Sequence, residues 1–397
     1  MLLNRLNLFA ATNIFTRLAT VFGILIFLGY FSGLEASSAW IVLTTFIASI
    51  NTLDGLLSQY FMRKFIVHKC STYEILCFQN KVYGVAAVIF SLLFFILIKD
   101  AIAGSCLAGL YVFVKRLDSR ARAFTNTEVV LRVESISNLL IFLALSVTIL
   151  SEFFEYDWLG EVYLLVLCIA AVVRNVLLSR RAVCEAVLLA KNNGDGQFCQ
   201  EHKIRDLIKI IVMSSSGALS INISLLMLNA MYGSGVECIN LLLSYRVFML
   251  VCEIASIPLV SRVPAITQMI AKWQWRDAEE LFERNRRLSL AVLAGGFVSF
   301  IVVERLLENS LPVSLDFSET YILIIIALGW MVERVISYQV LFDLCHSDYS
   351  FGRILNYYIP MMLVVLAVVV SFSVPILFPL LVLFINVITL AAKRLCR

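Results

Sequence analysis

The amino-acid sequence predicts an all-α polytopic membrane protein of about 12 transmembrane helices, in two six-helix lobes related by a parallel pseudo-repeat. Three observations support this fold class: the composition, the spacing of apolar stretches, and the distribution of basic residues. Of the 397 residues, 61% are hydrophobic and only 15% are charged, and the mean hydropathy is +0.91. A soluble globular protein with this balance would have too little polar surface to cover its core.

Apolar stretches of the length that crosses a bilayer recur along the whole chain. Six are expected at 14–34, 38–61, 82–98, 100–114, 132–150 and 159–179. Six more are expected at 207–230, 236–258, 288–304, 319–341, 354–373 and 375–392. The inner loop 180–206 contains the turn-rich sequence NNGDGQ and separates the two sets. We therefore expect two lobes, 1–204 and 205–397.

Lysine and arginine collect in alternate connections between the spans. The connections on one side hold most of the basic residues, whereas those on the other hold only Lys99 and Arg305 among several carboxylates. Because cytoplasmic loops are enriched in Lys and Arg, both termini are predicted to be cytoplasmic. This orientation and anionic lipid headgroups explain the basic loops, so no nucleic-acid partner is predicted.

The two halves resemble each other around their second spans. Residues 31–38, before span two, are similar to residues 232–239, before span eight. Each segment leads into a span with a central acid, Asp54 in one and Glu253 in the other. Two six-span halves of the same orientation are typical of parallel transporter repeats.

Charged residues inside the spans are the candidate functional residues, because a charge at the bilayer centre costs at least about 2.5–3.5 kcal/mol. Arg246 and Glu253 share one face of span eight but lie roughly 10 Å apart along the helix, too far for a direct ion pair. Arg246 is predicted to bind substrate in a cavity, with a structural ion pair to Asp54 or Glu333 as the alternative. Asp54 and Glu253 are predicted to exchange a proton or a cation.

Four further embedded charges allow other interpretations. Arg17 and Arg174 lie near the inner ends of spans one and six, so each is either a cavity residue or a side chain that reaches the lipid headgroups. Glu333 and Arg334 are adjacent in span ten, about 100° apart on a helix, and each is expected to pair with a neighbouring span.

The sequence does not predict an enzyme. It contains no HExxH, GxSxG, phosphate-binding glycine loop or DxD motif. The ten cysteines form no CxxC pair, and the three histidines, His68, His202 and His346, fall in separate polar loops. Neither a metal site nor a cofactor is predicted.

Three stretches of the chain carry a family resemblance. Residues 117–140 resemble an inner connector from span four into span five, and residues 341–358 resemble a link between spans ten and eleven. Residues 205–266 resemble spans seven and eight, with a polar turn followed by Tyr245 and Arg246. Together they are similar to the oligosaccharide-lipid flippase branch of the multidrug/oligosaccharidyl-lipid/polysaccharide (MOP) exporter superfamily, which includes the O-antigen flippases. The chain has Asn222 and Asn229 where that family has an Asp-containing end of span seven.

The resemblance implies a multi-pass protein of the bacterial cytoplasmic (inner) membrane that serves polysaccharide or lipopolysaccharide biosynthesis. Its substrate would be a polyprenyl-pyrophosphate-linked oligosaccharide, such as an O-antigen repeat unit, flipped from the inner to the outer leaflet by alternating access. Arg246, Arg17 and Arg174 would bind the pyrophosphate, and H+ or Na+ would drive transport. Membrane lipids are the other expected partner.

Three alternatives remain at the level of sequence. One is a small-molecule or drug exporter of the same superfamily, for which an acidic and aromatic site is expected. Another is a membrane-integral polysaccharide polymerase, although the short outer loops leave little room for its acceptor and catalytic groups. The third is a membrane scaffold that transports nothing, which the deep charges disfavour.

Overall fold

The computed structural model describes most of the chain and shows an all-helical protein. The described residues are Thr12, Thr16, 19–24, Leu28, 33–67, 72–98, 102–124, 127–150, 159–192, 215–232, 236–307, 318–346, 358–372, 374–375 and 377–395. Their regular structure consists of helices, with no strand among them. Segments Ile75–Ile98, Glu237–Ala271, Trp275–Arg305 and Thr320–Asp343 are long and apolar enough to cross a membrane. The predicted fold class is confirmed.

The described part of the first half begins with a π-helical turn, Ala19–Gly23, within predicted span one. Five α-helices follow it: α1 (Gly33–Val67), α2 (Thr72–Ile98), α3 (Ile102–Phe124), α4 (Thr127–Leu150) and α5 (Leu159–Asn192). These helices correspond to predicted spans two to six.

The described part of the second half also begins with a π-helical turn, Ser215–Leu219. The α-helices that follow are α6 (Ser220–Tyr232), α7 (Val236–Val260), α8 (Val263–Ala271), α9 (Trp275–Leu307), α10 (Thr320–His346), α11 (Tyr358–Phe372) and α12 (Leu377–Leu395). The short helix α8 was not predicted. A proline stands in its first turn, where the fixed φ of proline suits a helix start.

Several helices are longer than the predicted spans. Helices α1, α5 and α9 contain 35, 34 and 33 residues, so each is about 50 Å long, whereas the hydrocarbon core is about 30 Å thick. From its sequence, the stretch 271–290 is predicted to form an amphipathic helix that lies at the membrane interface. From Trp275 onwards it instead forms one continuous helix with span nine. Likewise α3 continues past the predicted end at 114 to Phe124.

The chain forms two compact units. The first contains Met1–Leu28 and Leu57–Glu201, and the second contains Gly29–Leu56 and His202–Arg397. The first part of α1 belongs to the second unit. The two predicted lobes, 1–204 and 205–397, stay a prediction.

The order of helix packing inside each unit supports the pseudo-repeat. In the first unit α2 packs on α3, α3 packs on α5, and α4 packs on α5. In the second unit α9 packs on α10, α10 packs on α12, and α11 packs on α12. The two π-helical turns also correspond, since the first contacts α4 and the second contacts α11. Both halves thus use the same order of neighbours.

Two stretches of helix are buried on all sides. Every residue from 41 to 50 in α1, and every residue from 241 to 250 in α7, is buried. Hydroxyl groups in such stretches bond to carbonyl oxygens one turn back, as Thr45 does to Ile41 at 2.7 Å and Ser244 does to Asn240 at 2.7 Å. A helix that is enclosed in this way faces protein rather than lipid.

Candidate functional site

Helix α7 is the most enclosed of the candidate membrane spans in the described chain. In the most apolar part of Glu237–Ala271, 78% of the residues are buried, whereas the corresponding share in the other three is 17% to 44%. Arg246 and Glu253 lie on this helix, Arg246 buried and Glu253 half-buried. The charges that the sequence singled out in span eight are therefore inside the protein, where an ion interacts with protein groups or with a substrate.

The guanidinium of Arg246 lies beside the side chain of Met249, one turn further along α7. Its Nη1 donates to Met249 Sδ at 3.6 Å, and Nδ2 of Asn222 on α6 donates to the same sulfur at 3.3 Å. All three side chains are buried. Asn222 and Met249 were not predicted as site residues. The only sequence signal for Asn222 was that an amide stood where the resembled family has an acid.

Glu333 on α10 is the centre of a second polar cluster in the same unit. Its Oε2 accepts a hydrogen bond from Arg334 Nε at 2.5 Å, and its Oε1 accepts one from Ser337 Oγ at 2.6 Å. The backbone N–H of Ala218, in the second π-helical turn, donates to Oε1 at 3.3 Å. A cation–π contact of 5.6 Å places Arg334 over the ring of Trp330.

This geometry differs from the expectation that Glu333 and Arg334 each pair with a neighbouring span, because the two side chains bond to each other. The Cβ atoms of adjacent residues diverge on a helix, but an arginine side chain is long enough to curve back to its neighbour. Glu333 also makes the expected contact with another span, through Ala218. The structural role of the pair stays a prediction.

The cluster extends along α7 towards the other predicted acid. The Cys252 side chain lies close to Arg334, Glu333 and Glu253. One turn later Ser256 Oγ and Tyr338 Oη lie 3.2 Å apart. Glu253, Glu333 and Arg334 are thus part of one polar neighbourhood between α7 and α10.

Arg174 belongs to a different site, in the first unit. Its Nη2 donates to both carboxylate oxygens of Asp118 on α3, at 2.5 and 2.6 Å. Lys115 Nζ lies 3.4 Å from Asp118 Oδ2, and Glu134 on α4 interacts electrostatically with Arg174. All four charged side chains are buried. Arg174 therefore does not extend to the lipid headgroups, and the structure gives it a partner, Asp118, that the sequence placed in a loop.

The remaining predicted residues have different outcomes. Asp54 is buried on α1, in the part of that helix that belongs to the second unit. Arg17 lies outside the described residues. Among the residues that the structure describes, no group of His, Cys, Asp and Glu side chains is arranged to hold a metal ion.

Comparisons with known proteins find the same architecture in solved transporters. The first is a multidrug resistance MATE family transporter of the MOP superfamily in an outward-facing conformation, with a TM-score of 0.61 and 13% identity over 97% of this chain and 92% of that one. The second is a variant of the Vibrio cholerae MATE transporter VcmN, with a TM-score of 0.54 and 12% identity over 99% and 97% of the two chains. No family model and no curated protein matches the sequence.

These likenesses concern the fold over nearly the whole length of the chain. They show the fold alone, and both the superfamily and the flippase branch within it stay predictions. Chemically, the described sites offer a buried cation and amide at Arg246 and Asn222, and a buried carboxylate at Glu333 paired with the half-buried guanidinium of Arg334. Charged groups inside membrane proteins commonly mark substrate or ion pathways.

Proposed function

We propose that this protein is a membrane transporter that flips a polyprenyl-pyrophosphate-linked oligosaccharide from the inner to the outer leaflet by alternating access. The observation that carries the proposal is Arg246, a cation buried on the most enclosed span of a chain that has a transporter fold. In this proposal the protein lies in the bacterial cytoplasmic membrane, and both of its termini are in the cytoplasm.

The chemistry of arginine suits such a substrate. A guanidinium stays charged at any physiological pH and offers a planar set of donors that matches two phosphate oxygens at once. Burial strengthens this attraction because the surrounding dielectric is low. A pyrophosphate at Arg246 would replace contacts with the polarizable but weakly accepting sulfur of Met249.

Coupling to an ion gradient is assigned to the buried acids. Asp54 is buried and Glu253 is half-buried, so neutralisation of either by a proton or Na+ would lower the free-energy cost of keeping it inside the protein. Amide variants, Asp54→Asn and Glu253→Gln, test this assignment. We expect at least one of them to remove the response of transport to a collapsed proton or sodium gradient, and an unchanged response in both would refute the assignment.

A second candidate function is the export of small molecules or drugs, which the two fold matches favour. The neighbourhood of Glu333, Glu253, Trp330 and Tyr338 supplies the acidic and aromatic groups that a cationic substrate requires. The two functions differ in the sign of charge that the site prefers, so they are separable by experiment.

The decisive experiment deletes the gene and identifies which lipid-linked saccharide accumulates, and on which leaflet. We expect accumulation on the inner leaflet and loss of the corresponding surface polysaccharide. Complementation with Arg246→Ala should fail, whereas Arg246→Lys should restore part of the polysaccharide. Arg287→Ala, the same change at an exposed position of α9, is the matched control.

Two results would contradict the proposal. One is normal surface polysaccharide in cells that contain Arg246→Ala protein at the wild-type level. The other is a deletion strain with normal polysaccharide that retains cationic dyes and becomes sensitive to cationic drugs, which would establish the exporter function instead.

A further inference from the structure

Two hydrogen-bond donors from different helices converge on one sulfur atom in the second unit. Asn222 Nδ2, from α6, lies 3.3 Å from Met249 Sδ, and Arg246 Nη1, from α7, lies 3.6 Å from it. The exposed fraction is 3% for Asn222, 8% for Arg246 and 5% for Met249. A thioether accepts hydrogen bonds only weakly, so this position holds a poor acceptor where two strong donors meet.

We propose that Asn222, Arg246 and Met249 form a phosphate subsite, in which a phosphate oxygen of the substrate takes the place of the Met249 sulfur and accepts hydrogen bonds from both donors. This inference rests on the proposed function, because it assumes a lipid pyrophosphate as the substrate. It adds two residues that sequence reasoning did not assign, Asn222 as a donor and Met249 as the displaceable occupant.

The side chain of Met249 is suited to this role. Methionine is unbranched and has three rotatable bonds, so its sulfur can leave the donors without movement of the helix backbone. In the absence of substrate the thioether fills the space and keeps the two donors directed to one point. A phosphate oxygen then gains charge-assisted hydrogen bonds that the sulfur does not provide.

The amide of Asn222 determines which sign of charge the subsite accepts. As a neutral donor it adds to the attraction of Arg246 for an anion. A carboxylate at this position would accept from Arg246 and compete with the phosphate for the same guanidinium. Asn222 is therefore a specificity-determining residue, and Asn222→Asp should convert the subsite into an internal ion pair.

Binding to the full-length protein in lipid nanodiscs tests this inference, with geranylgeranyl pyrophosphate as the probe and geranylgeraniol as the uncharged comparison. We expect wild type to prefer the pyrophosphate. Asn222→Asp and Arg246→Ala should each weaken its binding by at least about tenfold, the size expected for loss of a charge-assisted contact. Met249→Ala should bind the pyrophosphate as tightly as wild type or more tightly, because it removes the competing acceptor and leaves its space open.

Two controls separate the subsite from general damage. Asn229→Asp introduces the same charge on α6 seven residues away, and it should weaken binding by less than about threefold, as expected for a charge roughly 10 Å distant. Asn222→Ser removes the amide donor without adding a charge. It replaces Asn222→Asp in the test if the Asn222→Asp protein does not fold. It should weaken pyrophosphate binding and leave geranylgeraniol binding unchanged.

The outcomes distinguish this inference from the proposed function. Wild-type affinity in both Asn222 variants, together with loss of binding in Arg246→Ala, would overturn the subsite and leave the function standing. Weakened binding in Met249→Ala would also overturn it, since the sulfur would then be a required ligand contact. If wild type binds geranylgeranyl pyrophosphate no better than geranylgeraniol, the proposed function itself fails.

Discussion

Arg174 on α5 donates from a single nitrogen, Nη2, to both carboxylate oxygens of Asp118 on α3, at 2.5 and 2.6 Å. Asn175 Nδ2 adds a third hydrogen bond to this carboxylate, at 3.0 Å. Both charged side chains are buried, so each depends on the other for its stability inside the first unit. The contact joins residues 56 positions apart in the chain and fixes α3 against α5.

Removal of one partner of this pair should destabilise the protein strongly. Arg174→Met leaves Asp118 buried without its guanidinium, and breaking a buried ion pair in this way costs about 3–5 kcal/mol. The double variant Arg174→Met/Asp118→Asn should recover a large part of that loss, because no buried charge is left uncompensated at this pair. Both effects are measured by heating the detergent-solubilised protein and determining the fraction that stays monodisperse at each temperature.

Lys115→Met is the comparison for this pair. Lys115 lies 3.4 Å from Asp118, further away than Arg174, so its loss should cost clearly less than that of Arg174. Equal thermal midpoints in wild type and Arg174→Met would contradict the structural role. Loss of transport at unchanged stability would assign Arg174 to the substrate, as the resemblance implied.

The Gly217 position should not tolerate a side chain. Its φ is +83°, a backbone conformation that L-residues rarely adopt. A Cβ atom there would also lie 2.5 Å from Glu333 Oε1, which accepts the hydrogen bond from Ala218 N–H. Gly217→Ala should therefore lower stability by about 1–3 kcal/mol and disturb the π-helical turn.

Gly84→Ala is the control for Gly217. It lies in α2, and a Cβ there would meet nothing within 4 Å, so the change should be neutral or stabilise by up to about 1 kcal/mol. Comparison of the two thermal midpoints isolates the effect of local geometry from that of alanine itself. Wild-type stability in Gly217→Ala would show that the turn adopts another conformation.

Adjacent glycines in α9 give an internal test of the packing of α9 on α7. A Cβ at Gly296 would lie 2.6 Å from Val251 Cγ1, whereas a Cβ at Gly295 would meet nothing within 4 Å. Gly296→Ala should destabilise by about 1–3 kcal/mol through overpacking, and Gly295→Ala should not. Val251→Ala combined with Gly296→Ala should recover stability, because it removes the methyl group that the new Cβ meets.

At matched expression, the thermal midpoint of Gly296→Ala should lie below those of wild type and Gly295→Ala. If Gly295→Ala were the more damaging change, the face that α9 presents to α7 would be wrong. If both changes were neutral, α9 and α7 would be further apart than the structure places them.

The architecture could be predicted from the sequence because composition and the length of each apolar stretch are properties of local sequence and need no knowledge of distant contacts. Eleven apolar stretches, 38–61 to 375–392, correspond to described helices, since about 20 apolar residues suffice to predict a span. Helix ends were less predictable. Polar stretches such as 115–122 continue the helix α3 beyond the predicted span, where hydropathy no longer marks the boundary.

The partners of the embedded charges could not be predicted, because they come from distant parts of the chain. The position of Arg174 near the inner end of a span is compatible with lipid headgroups, and only the fold brings Asp118 to it. For Glu333 and Arg334, an argument from helix angles neglected the length of the arginine side chain. The depth of Arg246 in a long apolar run indicated an interior residue, but its contact with Met249 was not predicted.

The orientation of the protein can be tested on the turn between α8 and α9. Gln274 is exposed in that turn, and Glu319 is exposed just before α10. If both termini are cytoplasmic, as the basic loops predict, these positions lie on opposite sides of the membrane. In a background without other reactive cysteines, Gln274→Cys should react with a membrane-impermeant thiol reagent only in inside-out vesicles. Glu319→Cys should react only in right-side-out vesicles, and the reverse pattern would invert the direction of transport that we propose.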